Sequence, residues 1–210
     1  NLGVEYIDLY IYHCYDEKMP IEEIMETLNE AVIAGKVKYI GISNCFAWQI
    51  AKANYIAEKH GWAKFISVQG HYNLLFREEE REMVPYCKDA NVALTPYSAL
   101  AAGRLSKNRQ QTSERLEKDA YAKGKYDATE ALDNIIIDRV GEVAEKRNVS
   151  RTQIALAWLL TKVASPVVGA TKVYQLEDMA ASTELQLTEE ELNYLEEKYA
   201  PHALVGMMKK

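Results

Sequence analysis

Apolar and polar positions alternate with period two over Tyr6 to His13. Ile7, Leu9 and Ile11 form one apolar face that leads to His13, while Tyr6, Asp8, Tyr10 and Tyr12 form the other. Such alternation predicts a strand. β-Branched and aromatic content supports it, and the stretch is expected to be buried. The next pattern is helical: Ile21, Ile24, Met25, Leu28 and Val32 recur at helical spacing between Pro20 and Gly35. A strand is then expected over 37–42, a helix over 46–59 broken at Gly61, a strand over 65–69, a helix over 77–87 and a strand over 92–96. Within the third helix Pro85 is a conflict, because it lacks an amide donor and should kink the preceding turn. The charged run Arg77 to Glu82 predicts a solvated helix face with i,i+4 pairs.

A long polar stretch follows, Ser98 to Asp133, read as a lid-like loop with some helix of its own. Helical pattern returns over 135–146. Ser150 and Gln153 then fit a capping box that starts a helix with Ala155, Leu156, Trp158 and Leu159 turned inward. A last short strand is expected over 166–169, a helix over 173–182, and a C-terminal helix over 188–200 capped by Thr188 and Glu191. Strand followed by helix, five times over, predicts an α/β fold with a parallel sheet. A doubly wound sheet would usually carry a glycine-rich phosphate turn, and no GxGxxG occurs here. The (β/α)8 TIM-barrel type fits better. Five units fall short of eight, and at roughly 30 residues each, three more would need on the order of 90 residues. The expectation is a single domain over 1–210 that forms the C-terminal part of a barrel.

Composition narrows the function classes. Hydrophobic residues make up 48% of the 210, enough for a packed core, and the net charge of -6 offers no basic patch for nucleic acid. No apolar run approaches the ~20 residues of a membrane span. Three scattered cysteines, Cys14, Cys45 and Cys87, predict a reduced, cytoplasmic protein rather than a disulfide framework. No metal is expected: His60, His71 and His202 are isolated in sequence, and His13 with Cys14 lacks ligand spacing. An incomplete barrel would leave open sheet edges, so self-association is expected.

Polar groups gather at the strand ends: His13, Ser43-Asn44, Gln69, Tyr97-Ser98 and Gly169-Ala170-Thr171-Lys172. In a barrel they would share the rim where such folds do chemistry. The runs YIDLYIYH, GISN, VQGHYNLL, PYSALAAGRL and VVGATKVYQLED, in this order, resemble the aldo-keto reductase family of NADPH-dependent carbonyl reductases. The resemblance implies NADP(H) as cofactor and a small carbonyl compound as substrate. His13 matches the histidine that orients the substrate carbonyl. Ser43, Asn44 and Gln69 match the side chains on the nicotinamide carboxamide, which needs one donor and one acceptor. Tyr97 matches the ring that stacks on the nicotinamide. Ser98, Leu100, Gly103 and Arg104 match the segment along the pyrophosphate, where a glycine and a cation suit an anion. Gly169, Thr171 and Lys172 fall in the segment that meets the adenosine 2'-phosphate, and Gln175 and Asp178 fall where the family contacts adenine. The family's proton-donating tyrosine, with its lysine and aspartate, is carried by earlier units. His13 is thus the one catalytic side chain matched, and the alternative expectation is a non-catalytic module that binds NADP(H) or self-assembles. Plainer readings stand beside these: Ser43-Asn44 as the N-cap of the helix at Phe46, Gln69 as a polar strand end, Tyr97 as a core aromatic, and Lys172 as a solvated lysine.

Overall fold

A computed structural model describes residues 2–111 and 117–208; the middle of the expected lid, 112–116, lies outside the described residues. The chain forms two compact units, one made of Asn1–Gly70 and Glu79–Thr95, the other of His71–Glu78 and Pro96–Lys210. The fold class is α/β with a parallel sheet.

Unit 1 is a sheet with its crossover helices. The strands β1 (Ile7–Tyr12), β2 (Val37–Ser43), β3 (Phe65–Gln69) and β4 (Ala93–Leu94) lie in sequence order, all parallel. Parallel neighbours need a long connection between them, and the helices α1 (Ile21–Ile33), α2 (Ala47–His60) and α3 (Met83–Asp89) supply it. Gly35 and Gly61 stop the first two helices with φ of 68° and 69°, the left-handed conformation that glycine adopts without a Cβ penalty. Ile40, Ile42, Ile50, Ala53 and Val68 are fully buried. Gly41 lies tight against Ser67 across the β2–β3 pair, and a Cβ there would strike the serine side chain.

Three expectations change here. β1 is a strand, but Ile7, Leu9 and Ile11 are only half-buried, because β1 is an edge of this sheet and pairs on one side alone. The expected helix over 77–87 starts at Met83 instead. Pro85 therefore sits in its first turn, where no amide donor is missed, and the conflict dissolves. The strand expected over 92–96 is reduced to Ala93–Leu94, extended by an amide bond from Thr95 N to the Val68 carbonyl at 2.9 Å.

Unit 2 is mainly helical: α4 (Ala120–Tyr126), α5 (Glu130–Arg147), α6 (Arg151–Leu160), α7 (Val173–Ala181) and α8 (Glu189–Glu196). The described part of the expected lid is a 3-10 turn over Ala101–Ser106 followed by α4 and the start of α5. Ser150 caps α6 by accepting from Gln153 N at 3.1 Å, but only half of the expected capping box forms. The Gln153 side chain donates to Asp178 at 2.7 Å instead of turning back. Thr188 and Glu191 do cap α8 reciprocally, at 3.2 and 2.8 Å. No strand forms over 166–169; what remains is one amide bond, Val167 N to the Pro96 carbonyl at 2.8 Å. Trp158 is the largest fully buried side chain, and its indole donates to Glu196 at 2.8 Å. Among the described residues no helix is long and apolar enough to cross a membrane.

Candidate functional site

Unit 1 brings its candidate residues together at the C-terminal ends of β1, β2 and β3. Ser43 Oγ donates to the Gln69 carbonyl at 2.8 Å, and Asn44 N donates to the same carbonyl at 3.3 Å. Asn44, left-handed at φ 51°, gives its amide hydrogens to the His13 carbonyl at 3.0 Å and to Ser43 Oγ at 2.9 Å. Both side chains are buried, so Ser43 and Asn44 tie three strand ends together. They do not cap α2; the Gln49 side chain does, accepting from Phe46 N at 2.8 Å. Gln69 is different, because its carboxamide has no hydrogen-bond partner among the described residues and keeps both donor and acceptor available. His13 is exposed beyond the end of β1. Next to it in the chain, Tyr15 meets Trp48 edge-on, with ring centroids 6.2 Å apart. Burial raises the Tyr12 and Tyr15 phenols above their ordinary range.

Unit 1 also holds a carboxylate that the sequence pattern put on a solvated face. Glu79 lies against Gly70, where an added Cβ would stand 2.8 Å from its Oε1, and burial pushes its pKa up to about 7. Its field reaches the buried thiols Cys45 and Cys87, both already raised by burial, Cys87 to about 12. Such thiols are inert packing groups.

Unit 2 carries the candidate ring and cation. Tyr97 pairs with His71 through a parallel bridge, and the two rings lie 5.5 Å apart at 17°. His71 also stacks on Phe76 at 4.3 Å and shares a 2.7 Å hydrogen bond with Tyr126 Oη. Asn73 donates to the Ser98 carbonyl at 2.9 Å and to Tyr126 Oη at 3.0 Å, while its own oxygen takes the amides of Leu75 and Phe76. His71, far from isolated, sits in a buried aromatic and hydrogen-bonded cluster, and its imidazole is held well below its ordinary basicity, first by burial. Its Nδ1 has no partner among the described residues. His202 is not isolated either; it bonds Asp133 at 2.9 Å, and both side chains are buried.

After Tyr97 the backbone is unusual. Ser98 has φ 59°, and Ala101, Ala102 and Gly103 follow at 48°, 56° and 99°. Left-handed alanines cost energy that ordinary packing seldom demands, and such strain clusters at ligand clamps. Arg104 comes next. It pairs with Asp127 at 2.7 Å and covers the Tyr126 ring at 4.9 Å, yet its buried Nη1 has no partner among the described residues. Arg104 and Asp127 line a cavity of about 250 Å³ with Lys107, Arg109, Lys123 and Asp133. The remaining candidates are spread along α7. Gln175 accepts from the amides of Thr171 and Lys172 at 2.8 and 3.1 Å, closing the first turn of that helix. Asp178 accepts from Ser150 and Gln153 at 2.8 and 2.7 Å, tying α7 to α6. Gly169 and Lys172 are exposed, and Lys172 has no ion-pair partner among the described residues.

The Aldo/keto reductase family model matches residues 1–200. The chain belongs to that family. An aldo-keto reductase of Fusarium vanettenii is 42% identical over 207 residues, which make up 98% of this chain and 56% of that protein. The versiconal hemiacetal acetate reductase of Aspergillus parasiticus is 43% identical over 202 residues, 95% of this chain and 59% of its own. Among solved structures, the thermostable aldo-keto reductase Tm1743, determined with the inhibitor epalrestat, matches with a TM-score of 0.71 at 28% identity. That match covers 94% of this chain and 61% of Tm1743. The fold is of the (β/α)8 type that the strand and helix order predicted. The chain spans less than two thirds of the length of each of these relatives.

Two groups of residues around Tyr97 escaped the sequence reading. Lys125 and Tyr126 sit inside a stretch that reads as polar lid, and nothing local marks them as buried. His71 and Asn73 stand within the VQGHYNLL run, which carried the resemblance, but only the fold shows them meeting Tyr126 from more than 50 positions away.

Proposed function

We propose that this protein takes part in NADPH-dependent reduction of a small aldehyde or ketone to the alcohol. The observation that carries the reading is the strained turn over Ala101, Ala102 and Gly103 leading into Arg104, whose buried Nη1 lacks a partner among the described residues. A guanidinium donor left unsatisfied in the protein is suited to a phosphate oxygen. Gln69 would pair its free carboxamide with that of the nicotinamide, and Tyr97 would stack on the nicotinamide ring. Lys172, exposed and unpaired, would meet the 2'-phosphate. When bound, the cofactor supplies the hydride. At the end of β1 the exposed His13 imidazole would hold the carbonyl oxygen by a hydrogen bond and so orient the substrate. Ser43 and Asn44 support this arrangement indirectly, since they fix the strand ends next to His13 and Gln69.

The test is a fluorescence or calorimetric titration of the chain with NADPH and NADH. NADPH should bind saturably and more tightly than NADH. Arg104→Ala should weaken NADPH by about tenfold or more, the worth of one charge-assisted hydrogen bond. Equal affinity for both cofactors would remove the role of Lys172, and no binding at all would remove the reading.

A further inference from the structure

Lys125 is buried on α4, 4% exposed, with no carboxylate bonded to it among the described residues. Its Nζ lies over two aromatic rings, 4.6 Å from the centroid of Tyr97 and 4.8 Å from that of Tyr121. The tail closes on it: at Gly206, φ 64°, a Cβ would stand 2.8 Å from both Lys125 Cε and the Tyr121 hydroxyl. A cation held against ring faces and shut away from water keeps a long-ranged field, which Asp119 at the start of α4 opposes only in part.

The ring it covers is the one read above as the nicotinamide platform. Oxidised nicotinamide carries a positive charge and the reduced ring is neutral. We propose that Lys125 makes the protein discriminate between the two redox forms of the cofactor, weakening the oxidised form and leaving the reduced form untouched. The proposal rests on the cofactor reading of Tyr97. Lys125 reaches the nicotinamide through Tyr97 and is a positioning and charge-setting residue, not a catalytic one. The preference would favour loading with NADPH and release of NADP+ after hydride transfer.

The surroundings fit a titratable version of this device. Burial lowers the Lys125 ammonium to about 8, with Asp119 at the start of α4 opposing the shift. The other titratable groups that face it are Tyr97, Tyr121 and His71, and His71 is neutral because burial and Lys125 itself both oppose its protonation. The discrimination should therefore fade as pH rises through about 8, when the amine becomes neutral.

Affinities for NADP+ and NADPH, measured by titration of the whole chain from pH 7 to pH 10, decide the matter. Two unit charges on the order of 8 Å apart, at an effective dielectric of ~20 to 40, predict a preference for NADPH of about tenfold at pH 7. The preference should be lost by pH 10. Lys125→Met should bind NADP+ about tenfold more tightly at pH 7 and leave NADPH within twofold. Lys125→Arg, charged at all these pH values, should keep the preference at pH 10. A wild-type ratio that stays flat from pH 7 to 10 would overturn the proposal, and that measurement needs no variant. Parallel changes of both affinities in Lys125→Met would also overturn it and make Lys125 a packing residue. Wild-type protein that binds neither cofactor would overturn the cofactor reading itself, and this inference with it.

Discussion

In unit 1 the sheet buries Ile40, Ile42, Ile50 and Val68 completely, while the half-buried Glu79 carboxyl, raised by desolvation, has no cation bonded to it among the described residues. In unit 2 several enclosed side chains meet an opposite charge, while Lys125 rests on two tyrosine rings. Arg77 reaches Glu196 at 3.0 Å between the rings of Trp158 and Tyr199, Arg147 meets Glu191 at 2.5 Å, and His202 meets Asp133. A parallel sheet satisfies its own backbone and packs apolar side chains, so it needs few polar partners. A helical unit with irregular connections must satisfy helix ends and loops by side chains, and it does so with networks. The difference has a consequence in pH. The Glu79 carboxyl lies above its unfolded value of 4.5, so the stability it permits is full below pH 4.5 and lost as pH rises toward 7. His202 is raised above 6.5, chiefly by its bond to Asp133, so its contribution is full below pH 6.5 and lost as pH rises through its folded value. Glu191 runs the other way. Arg147 lowers it to about 2, and its contribution holds above pH 4.5 and fails as pH falls toward 2.

Substitutions can break this contrast at several strengths. Trp158→Ala strips the centre of unit 2 and leaves Glu196 one donor short. The loss should be about 4 kcal/mol in unfolding free energy, read from urea denaturation. His202→Leu leaves Asp133 buried without its cation and should cost about 3 kcal/mol at pH 6. The cost should shrink at pH 9, where wild-type His202 has lost its own charge; an equal cost at both values would show that packing, not charge, holds the tail. Glu79→Gln is expected to stabilise by roughly 2 kcal/mol at pH 8 and hardly at all at pH 4.5, a sign opposite to the first two. A destabilised Glu79→Gln at pH 8 would mean that unit 1 also uses its buried charge. Thr188→Ala should cost about 1 kcal/mol through the α8 cap alone, with little dependence on pH above 5.

Legibility in the sequence followed the range of each interaction. The first three strands, the stops at Gly35 and Gly61, and the α8 capping box rest on residues within a few positions of each other, and they formed close to where the pattern put them. Pro85 looked like a conflict only because the helix start was placed at Arg77. The residues 77–82 looked solvated because local charge density cannot register a partner 119 positions away, as Glu196 is from Arg77. Candidate site residues were named by resemblance to a family, and the fold adds what each one is free to do. Gln69 keeps its carboxamide uncommitted, whereas Ser43, Asn44, Gln175 and Asp178 already hold parts of the frame.

By itself, then, the sequence determined the α/β class, the first three strands, the glycine stops, the α8 cap and the family, because periodicity and turn chemistry act over a few residues. Tertiary structure alone decided which titratable groups lose water and how each is answered: Glu79 by no cation among the described residues, His202 by Asp133, Lys125 by two tyrosine rings. Desolvation and charge pairing depend on what the chain brings close from far away, and no local pattern contains that distance.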